Sequence, residues 1–154
     1  MHETKRITKL FKDIYNGSPW IDVNVKDTLS KLTASQASNK PIPQCNTIWE
    51  IVNHLIQWRQ NVLQRLQGKV IKTPSHNYFQ KVKDTSAKAW KTTLKDLAES
   101  QKQWLDFLRK FNENDFEKVY PNNGMTYYEH IQGIIQHDAY HLGQIVMLSK
   151  LVKV

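Results

Sequence analysis

Twice in this chain a Thr-x-x-Glu signature heads a long segment whose apolar residues recur every three to four positions: Thr47-Ile48-Trp49-Glu50 and Thr126-Tyr127-Tyr128-Glu129. In such a capping box the threonine hydroxyl accepts from the glutamate's backbone N–H, and the glutamate carboxylate accepts from the threonine's. Two orphan donors of the first helical turn are satisfied together, so each signature fixes where a helix begins. The first predicts a helix from 47 to about 68, where Gly68 supplies a stop. The second predicts one from 126 to about 150. A further helix is predicted over 86–110, where Trp90, Leu94, Leu97, Trp104, Leu105 and Leu108 keep helical spacing.

The N-terminal part reads as a helix starting near Thr4, with Ile7, Leu10, Phe11 and Ile14 on one face. It breaks at 16–19, resumes over 25–32 and ends in the proline-containing linker 39–43. Five Gly and five Pro in 154 residues, with no hairpin dipeptide between alternating segments, leave little room for β-structure. The expected fold class is all-α: a four-helix bundle in one domain spanning 1–154. The polar connection 69–84 exceeds the about 2–8 residues usual between antiparallel bundle neighbours. It is long enough to return along the bundle as a crossover. The second and third long helices are therefore predicted to run in the same direction, and the fourth opposite to both.

Five Trp, five Phe and six Tyr within an apolar fraction of 40% argue for a folded core. No stretch approaches the roughly 18–20 apolar residues of a membrane span. The opening Met1-His2-Glu3-Thr4-Lys5-Arg6 has no apolar run behind its charges, so a secretory leader is not expected. The single cysteine, Cys45, excludes an intramolecular disulfide and has no basic neighbour in sequence to make it a reactive thiolate. A cytoplasmic location is the expectation. The net charge of +8 comes from Lys and Arg scattered at helical spacing, as on a solvated face. With no zinc-finger, helix-turn-helix or RNA-recognition signature, a nucleic-acid function is not expected.

The chemistry concentrates in the last helix, in His130-Ile131-Gln132-Gly133-Ile134-Ile135-Gln136-His137-Asp138-Ala139-Tyr140-His141-Leu142-Gly143-Gln144. At about 100° per residue His137 and His141 lie roughly 40° apart, on an arc shared with His130, Ile134, Gln144, Ile145 and Leu148. Imidazoles buried there need hydrogen bonds or a metal. A His-x-x-x-His pair offers two nitrogens to one ion from successive turns, although taken alone such a pair is more often incidental. A third ligand has to come from another helix. His54, beside Ile51, Trp58 and Val62, is the good candidate, since antiparallel packing would bring it near the level of His141.

The segments Thr-Ile-Trp-Glu-Ile-Val-Asn-His-Leu-Ile-Gln-Trp-Arg (47–59) and Gly-Ile-Ile-Gln-His-Asp-Ala-Tyr-His-Leu-Gly-Gln-Ile (133–145) together resemble the DinB-like superfamily of four-helix-bundle proteins. The resemblance extends over essentially the whole chain in helix order and length. It implies a nickel or zinc ion held by one histidine of the second helix and a pair from the fourth, here His54, His137 and His141. It also implies a homodimer and, for the family's S-transferases, a low-molecular-weight thiol acting on a small-molecule substrate. Other members are regarded as metal-dependent hydrolases. The family name describes expression of a founding member and implies no DNA chemistry.

Around such a site several residues carry two readings. Glu50 could hydrogen-bond a ligand imidazole, or serve only its capping box. His130, about 10 Å from His137 along the axis, is too far for the same ion, and either lines the pocket or is a satisfied histidine at the bundle end. Trp58 and Tyr140 are core or pocket wall. Gln144 reaches toward the metal or fills a polar gap, Gly143 permits close helix contact, and Asp138 is a surface or inter-helix partner. Ile131, Ile135, Leu142 and Val146 form an apolar arc available to a partner chain. His2 and His76 take no role. Three imidazoles leave coordination positions free, as in catalytic zinc sites. An open cleft lined by Trp58 or Tyr140 would favour an enzyme, and a closed site with four ligands a non-catalytic binding protein.

Overall fold

Both capping boxes form in the computed structural model, which describes residues 2–153. Thr47 and Glu50 exchange their bonds at 2.8 and 3.1 Å and open α4 (Ile48–Leu66), after α1 (Glu3–Asn16), α2 (Val25–Ser30) and α3 (Ala34–Ser38). Ser86 caps α5 (Ala87–Lys110), and the Thr126–Glu129 box opens α6 (Tyr127–Val152). Gly68, at φ +86°, ends α4 in a left-handed turn that other residues adopt only with strain. The 3₁₀ turn Glu113–Asp115 and a single antiparallel bridge between Val119 and Thr126 tie the loop ahead of α6.

Four long helices, α1, α4, α5 and α6, make the bundle, and their cross-helix pairs give its directions. His54 meets His141, Arg59 meets Asp138 and Arg65 meets His130, so α4 and α6 are antiparallel. Trp49 bonds Thr93 and the Arg59 carbonyl accepts from Trp104, so α4 and α5 run the same way. The predicted crossover is therefore present. It runs back along α4 from Thr73, which accepts from Arg65, to Tyr78, which accepts from Asn61, and to Asn77 beside His54.

The N-terminal region departs from the sequence reading. Val25–Ser30 is followed by a separate helix, Ala34–Ser38, because Thr33 and Gln36 form a third capping box. Leu10 is 45% exposed, off the buried face that Ile7, Phe11 and Ile14 share. Gly17 is required by close approach: a Cβ there would stand 2.9 Å from the Asp13 Cα. The expectation for Gly143 is not met, since nothing lies within 4 Å of a Cβ built there.

Apolar side chains fill two clusters, one at each end of the bundle. One joins Trp49, Val52, Leu55, Leu142 and Ile145, and the other Phe11, Val62, Trp104, Leu108 and Ile131. Between them lies a polar layer. Arg59 donates to Asp138 and to Gln101, whose amide donates to the Phe11 carbonyl, linking all four long helices. Ile131 and Leu142 are fully buried, and Ile135 and Val146 pack against the core. The apolar arc read as available to a partner is thus used within the chain. The exposed apolar residues of α6 are instead Tyr140, Met147 and Leu151.

Candidate metal centre

The antiparallel register of α4 and α6 brings His54, His137 and His141 together, with one ring nitrogen from each lying within 4.8 Å of the others. His54 and His141 are buried and His137 is half-buried. His137 and His141 rise from successive turns of one helix, as their spacing requires. His54 comes across from α4 and stacks face to face on Phe79 of the crossover, with ring centroids 3.9 Å apart.

Hydrogen bonds settle which nitrogens face inward. His54 Nδ1 lies 2.6 Å from the Asn77 carbonyl oxygen, so this nitrogen carries the proton and donates. His141 Nδ1 donates to Gln144 Oε1 at 2.7 Å, and the Gln144 amide donates in turn to the Tyr140 hydroxyl. Both rings thereby present an unprotonated Nε2 to the centre. His137 Nε2 lies 2.8 Å from His54 Nε2, while His137 Nδ1 is buried without a partner. One nitrogen from each ring thus converges on a single point, where an electron-pair acceptor would draw a lone pair from each of the three. The donor set, three imidazoles with two of them oriented through Nδ1, fits a divalent ion such as zinc or nickel.

Electrostatics point the same way. Burial, with a smaller contribution from His141, pulls His54 down to about 4 against the raising effect of its bond to Asn77. Burial, the two neighbouring histidines and Arg59 pull His137 down to about 3. His141 is lowered too, again by burial. All three are neutral at pH 7, the form that ligates metal.

Beside the histidines opens a cleft of about 740 Å³, within the usual size of small-molecule sites. Tyr140 and Gln144 line it, as does Cys45, which the sequence gave no reason to place there. Trp58 stands behind the histidines: its ring centroid is 6.1 Å from that of His137, and its Nε1 donates to Asn77 Oδ1. Glu50 is engaged in the cap of α4. His130 is the satisfied bundle-end histidine. Its Nδ1 donates to the Thr126 carbonyl, and its Nε2 faces Asn123 and Arg65. Asp138 is fully buried and is an inter-helix partner rather than a surface residue.

Asn77, Phe79 and Arg59 had no assigned part in the sequence reading. Asn77 and Phe79 belong to an aperiodic connection, and only the left-handed φ of 51° and 61° at Asn77 and Tyr78 turns the Asn77 carbonyl and the Phe79 ring onto His54. Arg59 carried a signal, since it falls between Leu55 and Val62 on the apolar face of α4.

Among the described residues no helix is long and apolar enough to cross a membrane. No curated protein matches the chain. A crystal structure of a conserved protein from Enterococcus faecalis superposes with a TM-score of 0.67 at 16% identity, over 97% of this chain and 92% of that one, which shows a shared fold. A sequence model of the DinB superfamily matches residues 24–145, covering α2 through most of α6 and all three histidines, and the chain belongs to that superfamily.

Proposed function

We propose that this protein holds one divalent ion, zinc or nickel, through His54, His137 and His141 and acts as a metal-dependent enzyme on a small molecule bound in the adjoining cleft. The observation that carries the reading is the convergence of three neutral imidazoles, two of them with Nδ1 already committed to Asn77 and Gln144. When bound, such an ion supplies Lewis acidity that acidifies a water or thiol brought to it. The chain's own residues do the rest. Asn77 and Gln144 hold two ring orientations, and burial keeps the imidazoles unprotonated. Phe79 covers one face of His54.

The enzyme reading is favoured over a purely structural ion because no fourth His, Cys, Asp or Glu among the described residues joins the cluster, and a cleft opens beside it. Thiol-dependent S-transfer and metal-assisted hydrolysis are the two reaction classes to test, the first with a low-molecular-weight thiol as co-substrate. The deciding experiment is metal analysis of the purified protein, followed by thiol-transfer and hydrolase screens on the metal-loaded and chelator-treated forms. Activity that depends reversibly on the ion supports the proposal. Turnover undiminished in the metal-free form overturns it.

A further inference from the structure

The cleft continues well past the histidines. Its lining follows α6 from His137 to Leu151, about 20 Å at 1.5 Å per residue. Buried Ile51 and Leu148 form its floor, and half-buried Ile42 and Phe79 add an apolar wall. At the rim Tyr140, Met147 and Leu151 are 65%, 68% and 47% exposed. Spaced seven and four residues apart, they share one side of the helix. Single apolar residues on a surface need no explanation, but a row of them at the mouth of a cleft marks a binding surface. Among the described lining residues Lys150 alone has a permanent charge, and none carries a carboxylate.

From this arrangement we infer that the cleft takes a small amphipathic molecule, with a neutral or anionic donor head at the three histidines and an apolar tail lying along α6 toward Leu151. A wholly polar ligand would be desolvated against this wall without hydrogen bonds in return. A cationic head would meet the positive ion held by the histidines and Lys150, with no carboxylate among the described lining residues to receive it. A second copy of the chain is the other conceivable cover for the rim. A helix face laid across Met147 and Leu151 would leave the floor at Ile51 and Leu148 empty, whereas a slender tail reaches it. The inference rests on the metal-centre reading above, because the ion anchors the head.

The test is calorimetric titration of the zinc-loaded protein with straight-chain alkyl hydroxamates from ethyl to decyl, with zinc content measured on every sample. Affinity is expected to rise by up to about fourfold per added methylene, the equivalent of about 0.8 kcal/mol per buried CH₂. The longer members are expected to slow alkylation of the exposed Cys45 at the cleft more than the ethyl compound does. Met147→Glu combined with Leu151→Glu changes only exposed positions. It should flatten the chain-length dependence while leaving zinc content and the ethyl affinity in place. Equal affinity across the series on zinc-loaded protein overturns this inference alone, as does a slope unchanged by the double substitution. Sedimentation showing a dimer that the double substitution dissociates assigns the rim to a second copy and overturns it as well. A chain that takes up neither zinc nor nickel overturns both this inference and the reading beneath it.

Discussion

Arg59 and Asp138 meet in the middle of the bundle: the guanidinium Nη2 lies 2.6 Å from the carboxylate Oδ2, and Nε lies 3.1 Å from the same oxygen. Both side chains are shut off from solvent, and Asp138 adjoins His137 on α6. Burial pushes the carboxyl up and the guanidinium draws it back. Removing one partner strands the other, so Arg59→Met is expected to cost roughly 3–5 kcal/mol. Adding Asp138→Leu should recover much of that loss. Recovery stays incomplete because Gln101 Oε1 also loses its donor. Urea denaturation of the two single variants and the double one reads the coupling directly. Additive losses would show that the pair contributes nothing as a pair.

Metal content is the second expectation. Purified protein should carry about one divalent ion per chain, and His137→Ala or His141→Ala should abolish stoichiometric binding, read by mass spectrometry of desalted samples. Full metal content in the double replacement would falsify the ligand assignment. Because an ion binds the folded state, chelation should also lower Tm.

The pH dependence of the metal-free protein follows from the depressed histidines. His54 titrates at about 4 and His137 at about 3 in the folded state, against an ordinary 6.5 when unfolded. Between those limits the unfolded chain binds more protons, so stability rises with pH and falls on acidification from about 6.5 downward. Above about pH 5 few carboxylates titrate, and the histidines dominate the change. Thermal melts of chelated protein at pH 7.5 and pH 5.5 should show the loss, and His137→Gln should reduce it. A Tm that is flat over this interval contradicts the burial argument.

Much of this arrangement was legible before any coordinates. Thr47, Glu50, Thr126 and Glu129 announce their helices because a capping box is a local interaction. His54, His137 and His141 could be paired because two antiparallel helices turn a residue offset into a height. Ala34–Ser38 escaped notice because a five-residue helix offers too little periodicity, even with a capping box of its own. Asn77 and Phe79 escaped for another reason: no repeat governs a crossover, and what they contribute depends on the turn at φ 51° and 61°. The apolar residues of α6 could be listed but not sorted, so Ile131 and Leu142 were read as free when they are core and Met147 and Leu151 form the open edge.

That turn gives a prediction of its own. Asn tolerates the left-handed region at 77, whereas a β-branched residue does so only with strain. Asn77→Gly keeps the backbone and loses only the bond from Trp58. Asn77→Val should cost about 1–3 kcal/mol. By shifting the carbonyl that orients His54, it should also weaken zinc binding by roughly 10- to 100-fold. Competition with a chromophoric chelator measures the difference, and equal zinc affinity in the two variants would show that the Asn77 carbonyl does not orient the ligand.

Cys45 supplies the last prediction, because the structure sets it in the cleft wall although its sequence position gave no such sign. A thiol near a substrate invites a nucleophilic role. One observation argues against it: Cys45 lies outside the cluster that His54, His137 and His141 form. The chemistry proposed above draws its nucleophile from a water or thiol brought to the ion, with no protein side chain bonded to substrate. Cys45→Ala should therefore keep its metal content and turn over within about twofold of the parent, roughly 0.4 kcal/mol in barrier. Alkylating Cys45 with a bulky reagent should instead inhibit, because the adduct fills space in the cleft, and Cys45→Ala should be immune to the reagent. If Cys45→Ala is inactive while the metal-free parent still turns over, the metal-centred reading is wrong and the cysteine carries the reaction.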